Sequence, residues 1–212
     1  MIVPKLDNVR TVLALGAHPD DIEIGCGGSL MRLTAEHALD VHWVVLSGGE
    51  TRMREAHLGA EAFAKRARSC QVTVLDFPDA YFPGAFGEIK TLFDKLGREI
   101  SPDLIFTHRR EDRHQDHRQI AELTWNTFRD HFILEYEIPK YEGDLGRPNL
   151  YIPLSQETCE EKIQTLMEVF VSQRSRRWFT EDAFWALLRL RGLESGSGGH
   201  HAEAFEARKI LL

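Results

Sequence analysis

The sequence predicts an α/β fold of the Rossmann-like kind, a mostly parallel sheet with helices on both faces. Two observations carry this. Short apolar runs, TVLALG (11–16), VHWVVL (41–46), QVTVL (71–75) and DLIFT (103–107), recur along the first half of the chain. The segments between them return their apolar residues at helical spacing, so the order reads β-α-β-α-β-α-β. Parallel strands need crossover connections, normally right-handed helices, and such alternation therefore builds a parallel sheet covered by helices.

Taken in order, the run at 11–16 is a buried strand, and from about Gly27 to Ala38 the pattern turns helical, with Leu30, Met31 and Leu33 apolar. After the second strand Gly48 and Gly49 break the pattern, and a helix is expected over about 54–68 with Leu58, Ala62 and Phe63 on one side. The third strand leads through the loop DFPDAYFPG into a helix over about 88–100, where Ile89, Leu92, Phe93 and Leu96 share a face, and Pro102 precedes the fourth strand. A helix over 117–129 follows, with Ile120, Leu123 and Phe128 inward, then a strand in HFILEYEIP and a short strand over 150–152. Helices over about 157–171 and 181–190 bring apolar faces, the second including Phe184, Trp185, Leu187 and Leu188. The Gly/Ser-rich ESGSGGHHAEAF reads as a loop returning to the domain, with Phe205 and the terminal Ile-Leu-Leu buried. No internal repeat is visible.

At 212 residues the chain suits one domain spanning 1–212, long enough to bury a full core without staples. Hydrophobic residues make up 42% and charged residues 28%, and no apolar run approaches the ~20 residues a membrane span needs. The opening MIVPKLDNVR lacks the apolar core and small-residue cleavage site of a secretory signal, so a cytoplasmic protein is expected. Cys26, Cys70 and Cys159 are few, odd in number and far apart, which argues for reduced thiols and against a disulfide framework or thiolate zinc knot. A net charge of -7 repels polyphosphate, so nucleic acid is not an expected partner; only HRREDRHQDHR is locally basic, with acids mixed in. Trp178 and Phe179 could mark a homo-oligomer interface or plain core.

Residues 17–28, AHPDDIEIGCGG, form the first β-to-α connection, and in open α/β sheets that connection faces the ligand crevice. Asp20 or Asp21 could simply cap a helix, and the glycines could simply permit close packing. A dinucleotide site is a poorer reading, because Leu30 stands where the third glycine belongs and Asp20, Asp21 and Glu23 would meet a pyrophosphate with like charge. Carboxylates and a histidine this close suit a divalent cation. His18 and Asp21 could converge on one ion with Asp20 nearby, and THRREDRHQDHRQ after the fourth strand offers His108, His114 and His117 for a third ligand. A non-haem iron triad drawing on Asp20 instead of Asp21 is a rival of another class.

With both clusters in view, the sequence resembles the PIG-L/LmbE-like zinc-dependent N-deacetylases, whose marks are A-H-P-D-D-x-E followed by glycines and a later H-x-D-H, here AHPDDIEIGCGG and HQDH. GGETRMREA and the C-terminal AEAF add weaker likeness. The resemblance implies that His18, Asp21 and His117 bind one Zn²⁺, that Asp20 is the general base, and that His114 faces the scissile carbonyl with Asp116 supporting it. Three protein ligands leave a fourth position for water, the open arrangement of catalytic zinc. The implied substrate is a small N-acetylated amino sugar or its conjugate, with a non-sugar amide as the close rival and a sugar-binding module without chemistry as the non-enzyme alternative. Arg52 matches the family's R-x-x-E-A pattern and is the expected substrate contact, with Arg54 as its competitor; His200 and His201 stand where relatives carry an aromatic, and His201 is the second expected contact.

Overall fold

The computed structural model describes residues 6–210. Strands β1 (Thr11–Gly16), β2 (Asp40–Val45), β3 (Ser69–Val74), β4 (Leu104–His108), β5 (Phe132–Tyr136), β6 (Leu150–Leu154) and β7 (His201–Ala207) form one sheet in the order β3-β2-β1-β4-β5-β7-β6. The pairs from β3 to β5 are all parallel, whereas β7 runs antiparallel to both β5 and β6. The sheet is thus mostly parallel, as expected.

Helices α1 (Asp21–Glu36), α2 (Glu50–Phe63), α3 (Phe86–Glu99), α4 (Gln115–Thr127), α5 (Gln156–Val169) and α6 (Glu181–Ser195) cover it on both faces. The alternation of β1 decides who packs where. Val12 and Ala14 join the core under α1, α2, α5 and α6, while Leu13 and Leu15 join the one under α3 and α4. All four are fully buried, which is why the run contains no polar residue.

The differences from the sequence reading have identifiable causes. Helix α1 begins at Asp21, well before Gly27, and its glycines lie inside the helix. A Cβ on Gly25 would stand 2.1 Å from the Tyr136 ring, one on Gly27 2.5 Å from Phe63, and one on Gly28 2.5 Å from Leu154. They let a buried helix approach three neighbours closely, so they are packing glycines and make no phosphate turn. Helix α2 likewise runs earlier than the expected 54–68, starting directly after Gly49, which has φ 76°. The segment expected as a returning loop contains β7, inserted between β5 and β6. Phe205 is buried as expected, whereas Ile210 is half exposed, and Leu211 and Leu212 lie outside the described residues.

The order β3-β2-β1-β4 reverses direction between β1 and β4, so the connections leaving their carboxyl ends part to open a crevice there. Both histidine-acid motifs start at that point.

Candidate metal centre and active site

The β1–α1 connection turns sharply. The backbone N–H of His18 donates to Asp21 Oδ2 at 2.7 Å, and Asp20 adopts φ 102°, the left-handed region that non-glycine residues seldom occupy. Asp20 makes no capping hydrogen bond to α1, which removes the capping explanation for it. Its carboxylate instead lies 3.1 Å from the Arg52 guanidinium, which also donates to the carbonyl of Pro19.

His117, in the first turn of α4, arrives from the β4 side. Its Nδ1 donates to Asp112 at 3.1 Å, which fixes the tautomer and leaves Nε2 available. That Nε2 stands 3.2 Å from His18 Nδ1 and 3.5 Å from Asp21 Oδ1, while His18 Nδ1 and Asp21 Oδ2 are 3.4 Å apart. Ligand atoms around a zinc ion lie about 3.3 Å from one another, and with each histidine facing a different oxygen of the Asp21 carboxylate these three residues stand close enough together to hold one ion. Other groupings exist among the described residues: His18, His114 and His117; His18, Asp79, His114 and Asp116; and Asp21, His108 and His117. The histidines these groupings add, His108 and His114, have other partners. His108 Nε2 meets the N–H of Ala17 at 3.0 Å and Asp21 Oδ2 at 3.2 Å, and His114 Nδ1 accepts the N–H of Asp116 at 3.3 Å.

The electrostatics favour a cation at the same spot. Burial works against charge on His18, yet hydrogen bonds to Asp116, Asp21 and Asp79 hold its pKa well above the usual value. For Asp21, burial is outweighed by His117 and His108, and the carboxyl stays well below its ordinary range. Burial and the neighbouring His108 lower His117, which keeps the ring neutral and able to ligate. Burial raises Asp20 to about 7, with Arg52 opposing and Asp21 adding to the shift. His114 is lowered, first by burial and then by His117 and His18.

A cleft of about 220 Å³ opens over these groups. It is lined by His18, Asp20, Asp21, Arg52, His114 and His117 together with Asp79, by Ile138, Lys140, Tyr141 and Glu142 of the β5–β6 connection, and by Gln173, Arg176 and Trp178 ahead of α6. Trp178 is half buried against the core and Phe179 is fully within it. Arg54 is exposed and lines a separate groove between α2 and α5, so of the two arginines only Arg52 faces the cleft.

One expected contact falls elsewhere. His201 is the first residue of β7, its ring against Trp185 at 5.2 Å, and it does not line the cleft. The carboxylate of Asp116, fully buried, makes no hydrogen bond to the His114 ring, though it lies within 4.8 Å of it; it accepts from the N–H groups of Ala80 and Phe82 and lies 3.2 Å from His18 Nε2. Asp116 sits in the first turn of α4, where its backbone N–H reaches the N-capping His114 while its side chain reaches the loop after β3, and its charge acts to raise the His114 pKa. Glu23, the third acid of the motif, is buried with both oxygens unpartnered, pushed well up in pKa by that burial and packed where Gly59 leaves room.

Sequence reasoning missed Asp79, whose Oδ1 is 3.0 Å from His18 Nε2, and Asp112, which orients His117. Asp79 follows β3, and the rule that ligands gather at carboxyl ends of parallel strands could have pointed to it.

A PIG-L family profile, described as GlcNAc-PI de-N-acetylase, matches residues 13–128, a span that holds both motifs. The chain belongs to the PIG-L family. It is 33% identical over 139 residues to the uncharacterized deacetylase YaiS of Escherichia coli, covering 61% of this chain and 75% of that one. It is also similar in fold to the N,N'-diacetylchitobiose deacetylase of Pyrococcus horikoshii, with a TM-score of 0.73 and 17% identity over 95% of this chain and 84% of that one. The conserved protein TT1542 of Thermus thermophilus superposes with a TM-score of 0.75 and 21% identity, over 95% of both chains. No helix among the described residues is long and apolar enough to cross a membrane.

Proposed function

We propose that this PIG-L chain is a zinc-dependent hydrolase that removes the N-acetyl group from a glucosamine-like sugar or sugar conjugate. The observation that carries the reading is the convergence of His18, Asp21 and His117, with His18 Nδ1 3.2 Å from His117 Nε2 and the two Asp21 oxygens 3.4 and 3.5 Å from those rings, beside the buried carboxyl of Asp20. The family description and the chitobiose-deacetylase neighbour support the choice of an N-acetylated sugar.

His18, Asp21 and His117 would hold the ion, and a bound zinc supplies Lewis acidity that lowers the pKa of water and polarises an amide carbonyl. Asp20 takes the proton of the attacking water. Before an ion binds, burial holds that carboxyl at about 7, which makes it more basic than an ordinary carboxylate. The same proton then passes to the departing nitrogen, so that amide and water become acetate and amine. His114 donates a hydrogen bond to the carbonyl oxygen as negative charge gathers there. The sequence reading asked a protonated His114 to do this and to protonate the amine. Its lowered pKa and its Nδ1, occupied by the N–H of Asp116, favour instead a neutral ring with its proton on Nε2. Arg52 holds Asp20 and faces the cleft, where a substrate hydroxyl or phosphate oxygen can share its donors. The iron reading needs Asp20 as a ligand, and Asp20 is engaged by Arg52.

The test is acetate release by the zinc-loaded protein from a panel of N-acetylglucosamine glycosides and acetylated non-sugar amines, alongside metal analysis. Turnover of the glycosides with one zinc per chain is expected. Turnover confined to non-sugar amides would overturn the substrate class, and bound iron with 2-oxoglutarate consumption would overturn the reaction.

A further inference from the structure

Behind His117 lies a chain of buried charges whose outer end belongs to the wall of the cleft. Asp112, 1% exposed, is its hub. Its Oδ2 accepts from His117 Nδ1 at 3.1 Å and from Lys140 Nζ at 3.0 Å, and its Oδ1 accepts the backbone N–H of His114 at 2.8 Å. One carboxylate thus holds two histidines of the site. Lys140 also donates to both oxygens of Asp144, at 2.9 and 2.8 Å, and Asp144 in turn accepts the N–H of Arg113. Lys140 and Asp144 both lie in the β5–β6 connection, whose residues Ile138, Lys140, Tyr141 and Glu142 line the cleft. The Lys140 side chain is only 9% exposed and that of Asp144 only 6%. Two buried carboxylates facing one ammonium is an arrangement that a solvated surface lysine does not adopt.

We propose that Lys140 is a positioning residue for the cation centre: by holding Asp112 in place, it keeps His117 turned with Nε2 toward His18 and Asp21. The proposal rests on reading His117 as a cation ligand. Without the ammonium, the Asp112 carboxylate is a buried anion short of a charge partner, and turning toward water lowers its desolvation cost. Such a turn releases His117 Nδ1 and with it the ring orientation. The loss of a partner outside the ligand shell typically lowers metal affinity by about 10- to 100-fold. Because Lys140 acts through Asp112, the lower end of that range applies.

The experiment measures the zinc affinity of the metal-free full chain by competition with a chromogenic chelator. Lys140→Met is expected to weaken zinc about 10-fold, with Lys140→Arg, which retains the charge, staying close to the parent. Asp144→Asn separates positioning from simple tethering, because it loosens the β5–β6 connection, as limited proteolysis would read, while leaving Lys140 on Asp112. It is expected to bind zinc as the parent does. Should Lys140→Met fail to fold, Lys140→Gln removes the charge while keeping a donor and is expected to weaken zinc likewise. Parent-like zinc affinity in the folded neutral variant overturns the proposal, as does an Asp144→Asn loss equal to it. A parent chain that binds no zinc overturns both this proposal and the metal reading of the site, whereas the first two outcomes leave that reading standing.

Discussion

Asp20 combines a left-handed backbone with a buried carboxyl. Holding a non-glycine residue in such a conformation costs about 1–3 kcal/mol, and that cost persists only where the surroundings over-determine it. Ala80, at φ 67°, is the other such residue among those described, and it sits beside Asp79 at the same cleft. Asparagine also tolerates the left-handed region, so Asp20→Asn should keep the fold. It is expected to bind zinc at parental stoichiometry while losing about 10²- to 10⁴-fold in kcat, measured as acetate release. Full activity in that variant would remove Asp20 as the base. Arg52 tests the same residue from outside. Its guanidinium lowers the Asp20 pKa, so its removal raises it, and a larger share of Asp20 is protonated at any given pH. The acidic limb of kcat/KM in Arg52→Ala is therefore expected to move to higher pH than in the parent; a limb that stays put assigns that ionisation to another group.

At the scale of the element, α1 shows how one segment serves packing and chemistry together. Its first turn contributes Asp21 to the cleft, and one turn later the helix presses against β5, α2 and β6 through Gly25, Gly27 and Gly28. Gly25→Ala would force a methyl group into the Tyr136 ring, which is itself tied through its hydroxyl to Leu15 O at 2.6 Å and cannot easily yield. Overpacking of this kind costs about 1–3 kcal/mol, and the urea midpoint of Gly25→Ala should fall accordingly. Gly84, with nothing near its added Cβ, is the control, and Gly84→Ala should change stability by no more than about 0.5 kcal/mol. Equal losses in the two variants would show that helix-glycine packing is not what sets the path of α1. Legibility within α1 is uneven for the same reason. The acids could be read as a site because they are adjacent, whereas for the glycines close packing could be read but not the partners, which come from distant strands and helices.

Across the whole molecule, the centre joins the carboxyl ends of β1 and β4, neighbours in the sheet although paired residues such as Val12 and Leu104 are 92 positions apart along the chain. An ion gripped by both connections binds the folded state and has no counterpart in the unfolded chain, so it adds stability by mass action. At 100-fold excess over its Kd the gain is about 2.7 kcal/mol. For a chain of this length that corresponds to a rise of roughly 5–10 °C in Tm. Thermal melts with zinc and with a chelator should differ by that amount, and the chelator should also abolish turnover. Identical melts would mean that the two connections do not share a ligand.

The order of strands and helices, the two motif clusters and their residence at strand ends were readable from the amino acids alone. Strands buried on both faces must be written as unbroken apolar runs, and local neighbours such as His18 and Asp21 carry their proximity in their numbering. The antiparallel insertion of β7, the role of the glycines in α1 and the partners Asp79, Asp112 and Lys140 were settled only when the chain folded. These features depend on which strands become neighbours and on how closely a helix can approach them, and such relations between distant segments arise from long-range packing that no local pattern encodes.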